Sequence, residues 1–172
     1  VHARVRSLPA GRGLLQVTPG QRARAVAAGC EMDGNGRLRL PRALVEDMIA
    51  RTRRKFTRHG IDPAHDSEIG GRRVHAGTGG AAPTIMDFHS GKYRESTVAD
   101  LYDIARLVDR LDNIHWFHRT VVARDTETIL DLDINTTYAC LSGTTKSIAV
   151  SYTDSNRVTA GMPMLDPVAG RE

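Results

Sequence analysis

The sequence predicts an α/β fold, and three observations from Arg73 onward support this prediction. Strand-like and helix-like segments alternate along the chain, each carries the periodicity of its type, and turn residues separate them. Such alternation indicates parallel βα units with right-handed connections. With 172 residues, of which 40% are hydrophobic, the chain is long enough to bury a core of about one domain.

The clearest element of this α/β part is a helix over Val98–Asp112. Thr97 and Asp100 have the spacing of a capping box, and apolar residues recur at helical intervals behind them. The other predicted elements are a strand Thr84–Phe88 with a turn at His89–Lys92, a strand Ile114–Phe117, a helix Thr128–Leu141 and a strand Ser147–Tyr152. Together they give the order strand, hairpin, helix, strand, helix, strand.

The first part of the chain predicts a smaller α+β extension. Val1–Gln21 has no clean period and is predicted to be a loose segment. The predicted elements after it are a helix Arg22–Ala28 capped by Gly29, a turn Asp33–Gly36 leading into a strand Arg37–Leu40, a helix beginning at Pro41, a strand Phe56–Gly60, and strands Glu68–Arg72 and Arg73–Gly77 around the turn Gly70-Gly71. We therefore place a domain boundary between residues 1–72 and 73–172.

Composition and charge exclude several classes of protein. The net charge of +4 and an aromatic content of 5% do not favour a nucleic-acid-binding protein. The basic run Arg51–Lys55 is interpreted as a solvated helix end, where cations suit the helix dipole. The sequence contains no run of about 18 apolar residues, so no membrane span is predicted. Cys30 and Cys140 are predicted to be buried thiols in a reducing cytosol, so we expect a cytoplasmic protein.

The most conspicuous motif is the glycine-rich segment Gly77–Pro83. Gly77, Gly79 and Ala82 match the dinucleotide-binding pattern G-x-G-x-x-G/A, which requires a helix to start at its end. Pro83 and a strand-like segment follow instead, which argues against a nucleotide site. The remaining alternatives are a tight turn that needs small residues and a loop whose backbone approaches a ligand closely.

The segment His115–Arg119 carries the other polar candidates. His115 and His118 are three residues apart on a predicted strand, so they point to opposite faces and no metal site is predicted. The aromatic faces of Trp116 and Phe117 could attract a cationic amine, although core packing is the favoured interpretation of both. Arg119 could pair with a carboxylate. Gly143–Ser147 lacks the full spacing of a phosphate loop, and no activated nucleophile is evident, so the catalytic residues stay unknown.

Several segments together resemble the trimethylamine methyltransferase family, including its members that lack pyrrolysine. The similarity extends from about Leu14 to Val158. It is carried by Leu40–Glu46, His65-Asp66 with Ile69–Gly71, Val74–Pro83, Thr97–Leu111, His115–Arg119, Asn135–Cys140 and Gly143–Lys146.

The resemblance implies a (β/α)8 barrel of the TIM type, of which this chain supplies about three of the eight strands. It also implies transfer of a methyl group from a methylated or quaternary amine, such as trimethylamine or a betaine, to a separate corrinoid (cobalamin) protein. No cofactor is then bound directly by this chain. Ligands of barrels gather at the carboxyl ends of the strands, so we expect substrate-binding roles for Thr78, Gly79, Gly80, His118 and Arg119.

Departures from the family pattern predict an incomplete protein. A full barrel needs about 250 residues. The chain lacks an initiator Met, and the position of pyrrolysine or its replacement is expected in a later part. Pro163 and Pro167 fall where the family implies a helix, which predicts a decayed tail over Arg157–Gly170. We therefore expect an amino-terminal fragment without a complete active site. The alternative is a non-catalytic module that binds a partner or self-associates through an unpaired strand edge.

Overall fold

The computed structural model describes residues 10–169, and the chain forms two compact units that divide after Arg53. The sequence analysis places its boundary after Arg72 instead. The difference concerns a hairpin that starts at Phe56. It belongs to the second unit because the Arg58 Nε donates a hydrogen bond of 2.9 Å to the Ser147 Oγ, far along that unit.

Residues 12–53 of the first unit form two helices and one short hairpin. Helix α1 (Pro19–Ala27) begins with a capping box, in which Thr18 and Gln21 exchange backbone-to-side-chain hydrogen bonds. Gly29 follows it with a φ of +92°, as the predicted cap requires. Strands β1 (Glu31–Met32) and β2 (Leu38–Arg39) pair antiparallel, and helix α2 spans Arg42–Arg51. The predicted loose segment is wrong over its last residues, where α1 starts, and its residues 1–9 lie outside the described residues.

The second unit begins with two antiparallel hairpins. Strand β3 (Phe56–Arg58) pairs with β4 (Ser67–Ile69) across a 3-10 turn at Pro63–His65. Strand β5 (Thr84–Met86) pairs with β6 (Tyr93–Glu95). The predicted strands around Gly70-Gly71 are therefore wrong in their pairing. Because β4 is already paired with β3, the described segment after Gly70-Gly71 forms no strand ladder with β4, although Arg73 and His75 contact Glu68 through their side chains.

The α/β core follows, and it confirms the predicted fold class. Helix α3 (Val98–Asp109), strand β7 (Trp116–His118), helix α4 (Ile129–Gly143) and strand β8 (Ser147–Ala149) alternate, and β7 and β8 pair in parallel. On the other side of β7, Gly77 and Ala82 form parallel bridges to Trp116 and Val121. Between the helices and these strands lies a hydrophobic core of Leu101, Ala105, Val108, Phe117, Val121, Ala139 and Cys140. Cys30, in the first unit, is also buried, so both thiols are buried as predicted.

Side chains fix where these two helices begin and end. Thr97 with Asp100 and Thr128 with Asp131 form capping boxes at the starts of α3 and α4. Helix α3 ends at Asp109, earlier than predicted. At this helix end, the Lys146 ammonium donates to the carbonyl oxygens of Val108 and Leu111, which also accept backbone N–H bonds.

The final helix, α5, spans Ser155–Ala169, so the expectation of a decayed tail is wrong over its described residues; Gly170 lies outside them. Gly161 is buried against the Tyr152 ring, and a Cβ atom at this position would overlap the phenol. Pro163 and Thr159, whose carbonyl would accept the missing N–H bond, are both exposed, so water can satisfy that carbonyl. Within residues 10–169, no helix has the length and apolar character needed to cross a membrane.

Candidate functional site

The glycine-rich segment and the end of β7 lie side by side. The Thr78 N–H donates to the Trp116 carbonyl at 3.3 Å, and the Ala82 N–H donates to the Thr120 carbonyl at 2.9 Å. Both segments run in the same direction, so Gly79 and Gly80 leave the sheet at the edge where His118 ends β7. The structure therefore brings four of the five predicted site residues, Thr78, Gly79, Gly80 and His118, to one edge.

A single hydroxyl group joins these two segments. The Thr78 Oγ1 donates to the His118 carbonyl at 2.7 Å and accepts from the His118 N–H at 2.8 Å. Both groups are partly buried, so the bonds are shielded from competing water. The side chain of Thr78 thus satisfies the backbone of His118 at the point where regular strand pairing stops.

The three glycines of the loop differ in how strongly the structure requires a residue without a side chain. A Cβ atom at Gly77 would overlap the Trp116 indole, whereas a Cβ atom at Gly79 would meet nothing within 4 Å. Gly80 has a φ of +88°, a conformation that favours glycine. Strand β5 then starts at Thr84, so no helix N-terminus meets the loop and the dinucleotide-binding alternative is wrong. The exposed backbone of Gly79 and Gly80 stays open to a ligand.

The aromatic residues of β7 do not form an open binding surface. Phe117 is completely buried in the core. The guanidinium carbon of Arg58 lies 4.2 Å from the centroid of the Trp116 ring, so a cation of the chain itself already occupies that face. Burial lowers the pKa of Arg58 in this position. The core-packing interpretation is therefore correct for Phe117, whereas Trp116 is half-buried and lies outside the hydrophobic core. The half-buried His118 ring is stacked 6.3 Å from Trp116 at the edge.

Arg119 lies apart from the other predicted site residues. Successive side chains of a strand point to opposite faces, and His118 shares the face of Trp116. The charge of Arg119 instead acts on the thiol of Cys140, in the core that packs against the helices. Burial raises the pKa of Cys140 to about 12, against the smaller opposite effect of Arg119. Within the described part of the chain, no carboxylate forms an ion pair with Arg119.

Sequence reasoning missed two buried charged residues, Lys146 and Asp133. Lys146 Nζ donates to the carbonyls of Val108, Leu111 and Ile114 at 2.7–2.8 Å. The lysine of Gly143–Ser147 is thus engaged with the carbonyls at the end of α3 and in the loop after it. Asp133 accepts two hydrogen bonds from Thr153 through Oδ2, while its buried Oδ1 has no hydrogen-bond partner among residues 10–169. Neither role has a local sequence signal, because the partners lie 20 or more residues away.

The described residues also bear on metal binding. Among residues 10–169, no three His, Cys, Asp or Glu side chains are grouped so that they could hold a metal ion. His115 forms its hydrogen bond to Ala76 at the start of β7, whereas His118 is bonded to Thr78 at its end.

Comparison with known proteins identifies relatives of the chain. A model of the trimethylamine methyltransferase (MTTB) family matches residues 1–172. Trimethylamine methyltransferase MttB of Desulfitobacterium hafniense is 25% identical over 135 residues, which cover 78% of this chain and 27% of the relative. MttB of Methanosarcina thermophila and MttB1 of Methanosarcina mazei are 29% and 30% identical over 123 residues, which cover 69% of this chain and 25% of each relative.

The chain thus spans about a quarter of the length of the curated relatives that it matches. The match of the family model extends over the whole chain, including the glycine-rich loop and β7. The chain therefore belongs to the trimethylamine methyltransferase family.

Proposed function

We propose that the chain forms the first βα units of a (β/α)8 barrel and takes part in moving a methyl group from a methylated or quaternary amine to a corrinoid protein. The order of the parallel elements supports the barrel: Ala76–Thr78, β7 and β8 are neighbours in the order of the chain, with α3 and α4 between them. Family membership supports the reaction class.

The observation that carries the proposal is the joining of Thr78 and His118. Their two hydrogen bonds hold the glycine loop beside the end of β7, at the carboxyl edge where ligands of parallel α/β folds bind. Gly79 and Gly80 carry no side chain, so a small amine can approach their backbone closely. We propose this edge, formed by Thr78, Gly79, Gly80 and His118, as the part of the amine site that the chain contributes.

The chemistry asks little of the chain beyond positioning. A quaternary ammonium that loses a methyl group leaves as a neutral tertiary amine, and trimethylamine bound in its protonated form leaves as neutral dimethylamine. In both cases no residue has to supply a proton. The corrinoid of the partner protein supplies the nucleophile that accepts the methyl group, and we propose that the chain itself binds no cofactor. Its residues orient the methyl group and exclude water. The Arg119 side chain lies on the face opposite to His118. We therefore propose that the edge binds the amine and that Arg119 does not bind a carboxylate there.

A titration of the isotopically labelled chain tests the binding site. We expect trimethylamine and tetramethylammonium to shift the backbone amide signals of Gly79, Gly80 and His118 in a saturable manner. A His118→Gln variant should weaken this binding, whereas His89→Gln, which changes an exposed histidine of the β5–β6 turn, should leave it unchanged. Shifts confined to other residues, or equal effects of the two variants, contradict the proposed site.

An assay of methyl transfer tests the reaction. Because the chain contains only part of a barrel, we expect no transfer from trimethylamine or a betaine to a corrinoid protein by the chain alone. Transfer is expected when the chain replaces the matched region of the Methanosarcina thermophila relative, and it should fall with His118→Gln. Turnover by the isolated chain would show that the partial-barrel proposal is wrong.

The outer edge of β8 supports a second candidate function, the binding of a partner or of a second copy. The Arg119 N–H donates to the Ala149 carbonyl, so Ala149 faces β7 and the backbone of Ile148 faces away from it. In the described part of the chain, no strand pairs with that side of β8.

Two proline variants test this edge. Ile148→Pro removes only the outward N–H, and Ala149→Pro breaks the existing ladder. If the edge binds, sedimentation should show an assembly that Ile148→Pro abolishes without unfolding the monomer; a monomer at all concentrations rules out self-association.

A further inference from the structure

The end of the sheet opposite the proposed amine site contains an imidazole in place of a regular backbone acceptor. The Ala76 N–H donates to the His115 Nδ1 at 3.2 Å, and the His115 N–H donates to the Ala76 carbonyl at 2.8 Å. A backbone N–H can only donate, so Nδ1 of His115 must carry a lone pair and the ring proton must lie on Nε2. The bond donated by the Ala76 N–H therefore requires a neutral His115 ring, whereas the bond from the His115 N–H to the Ala76 carbonyl does not involve the ring.

The preceding histidine has the same tautomer. The His75 Nε2 lies 3.0 Å from the Glu68 carbonyl, which can only accept, so Nε2 carries the proton. The His75 Nδ1 is buried and has no hydrogen-bond partner among the described residues. The two rings meet edge to face, with centroids 5.0 Å apart. A proton added to His75 Nδ1 would be a buried donor without an acceptor, and one added to His115 Nδ1 would face the Ala76 N–H.

Charged groups around the pair act in both directions. His115 lines a cavity of about 290 Å³ together with His65, Asp66, Asp112 and Lys146. The carboxylates of Asp66 and Asp112 attract a proton to this region, and the Lys146 ammonium repels it. On β4, Glu68 is ion-paired with Arg73 at 2.8 Å, and Asp66 contacts the His59 ring at 2.9 Å. Charges of both signs therefore surround the two rings. The hydrogen bonds that the neutral rings make are the contacts that an added proton would disrupt.

We propose that His75 and His115 form a pH-sensitive latch, which adds to the backbone contacts that hold the segment before the glycine loop on β7 while both rings are neutral. Opening the latch frees Ala76, whose neighbours Gly77 and Thr78 make the contacts to Trp116 and His118. A second proton on His115 removes the acceptor of the Ala76 N–H, and one on His75 adds a buried donor without an acceptor, so the latch opens when a ring gains that proton. This inference does not depend on the methyl-transfer proposal.

Amide hydrogen exchange of the whole chain tests the latch. After correction for the intrinsic effect of pH, protection of the amides of residues 76–78 should fall at least about threefold between pH 7.5 and pH 5.5. His115→Asn places an amide oxygen near the position of Nδ1 and cannot be protonated, so its protection should not change with pH. His89→Asn, at an exposed histidine, should keep the wild-type response. A response of His115→Asn equal to that of the wild type overturns the proposal.

A second measurement needs no variant. Nitrogen chemical shifts of the imidazoles in the wild-type chain report which ring nitrogen carries the proton. We expect the Nε2–H tautomer for both His75 and His115 at pH 7.5, and loss of the Ala76 hydrogen bond when His115 gains its second proton. An Nδ1–H tautomer of His115 at pH 7.5, or protonation of both rings with the Ala76 amide still protected, would overturn the latch even if His115→Asn failed to fold.

Discussion

Thr78 and His118 are 40 residues apart in the sequence, yet the hydroxyl of Thr78 bonds to both backbone groups of His118, at 2.7 and 2.8 Å. The Thr78 hydroxyl here makes the two hydrogen bonds that the backbone of a neighbouring strand would otherwise make, because the glycine loop turns away at this point. The geometry of the loop and that of the end of β7 are therefore coupled, and a change in one is transmitted to the other.

Removing the Thr78 hydroxyl should destabilise the second unit. Thr78→Val keeps the branched shape but leaves the His118 N–H and carbonyl without partners, at an expected cost of about 1–3 kcal/mol. Thr78→Ser keeps the hydroxyl and should cost less. Urea denaturation followed by the fluorescence of Trp116 measures both variants. Equal losses for Val and Ser would show that the hydroxyl is not the stabilising group.

The loop glycines should respond very differently to alanine. A Cβ atom at Gly77 overlaps the Trp116 indole, so Gly77→Ala should cost about 1–3 kcal/mol through overpacking and should shift the Trp116 emission. Gly79→Ala is the matched control, because nothing lies within 4 Å of its Cβ position. Denaturation midpoints and emission spectra check both changes. An unchanged spectrum for Gly77→Ala is incompatible with the described packing.

Loss of the Lys146 ammonium should be among the most damaging single changes. Lys146→Met removes a buried donor from three carbonyls, of which those of Val108 and Leu111 keep a backbone N–H bond, and we expect a loss of about 1–3 kcal/mol. Lys92→Met, at an exposed lysine, should change the free energy of unfolding by no more than about 0.5 kcal/mol. Thermal and urea unfolding compare the two. Similar stabilities would mean that the bonds of Lys146 contribute little.

The ion pairs of Arg94 predict a loss of stability in acid. Hydrogen bonding to Arg94 holds the pKa of Asp100 well below its usual range, and bonds from Ser90 lower the pKa of Asp87 to about 2. Since both folded values lie below the unfolded value of about 3.9, the stabilisation is complete above about pH 4 and is lost as the pH falls towards 2.

Replacing the guanidinium tests this assignment. Arg94→Gln should reduce the change in unfolding midpoint between pH 5 and pH 2.5. Arg110→Gln removes the same charge at the end of α3, from a side chain with no carboxylate partner among residues 10–169, and should keep the wild-type slope. Parallel slopes for the wild type and both variants would assign the acid sensitivity to other carboxylates.

Local signals predicted the helices of the α/β core well. The starts of α3 and α4 follow from Thr97 and Thr128, because a capping box is completed within four residues. The alternation of elements also gave the parallel pairing of β7 with β8. What failed was the pairing of β4. Gly70-Gly71 is a convincing turn signal, but the sequence does not reveal that β4 is already paired with β3.

The candidate site was predictable in position but not in detail. Motif and chain order placed the glycine loop beside His118. They did not reveal that Arg58 covers Trp116, since Arg58 arrives from a hairpin nearly 60 residues earlier. They also grouped Arg119 with His118, although alternation along a strand separates adjacent side chains. The buried roles of Lys146 and Asp133 depend on tertiary contacts alone.

The Tyr152 phenol lies against Gly161 of α5, and its hydroxyl is 3.1 Å from the Thr137 Oγ1 of α4. Because Tyr152 is only partly exposed while α5 lies against it, we expect its ring to be nitrated more slowly than Tyr93 and Tyr138, which are 76% and 62% exposed. Nitration of Tyr152 as fast as that of the exposed tyrosines would therefore indicate that α5 is not docked against it.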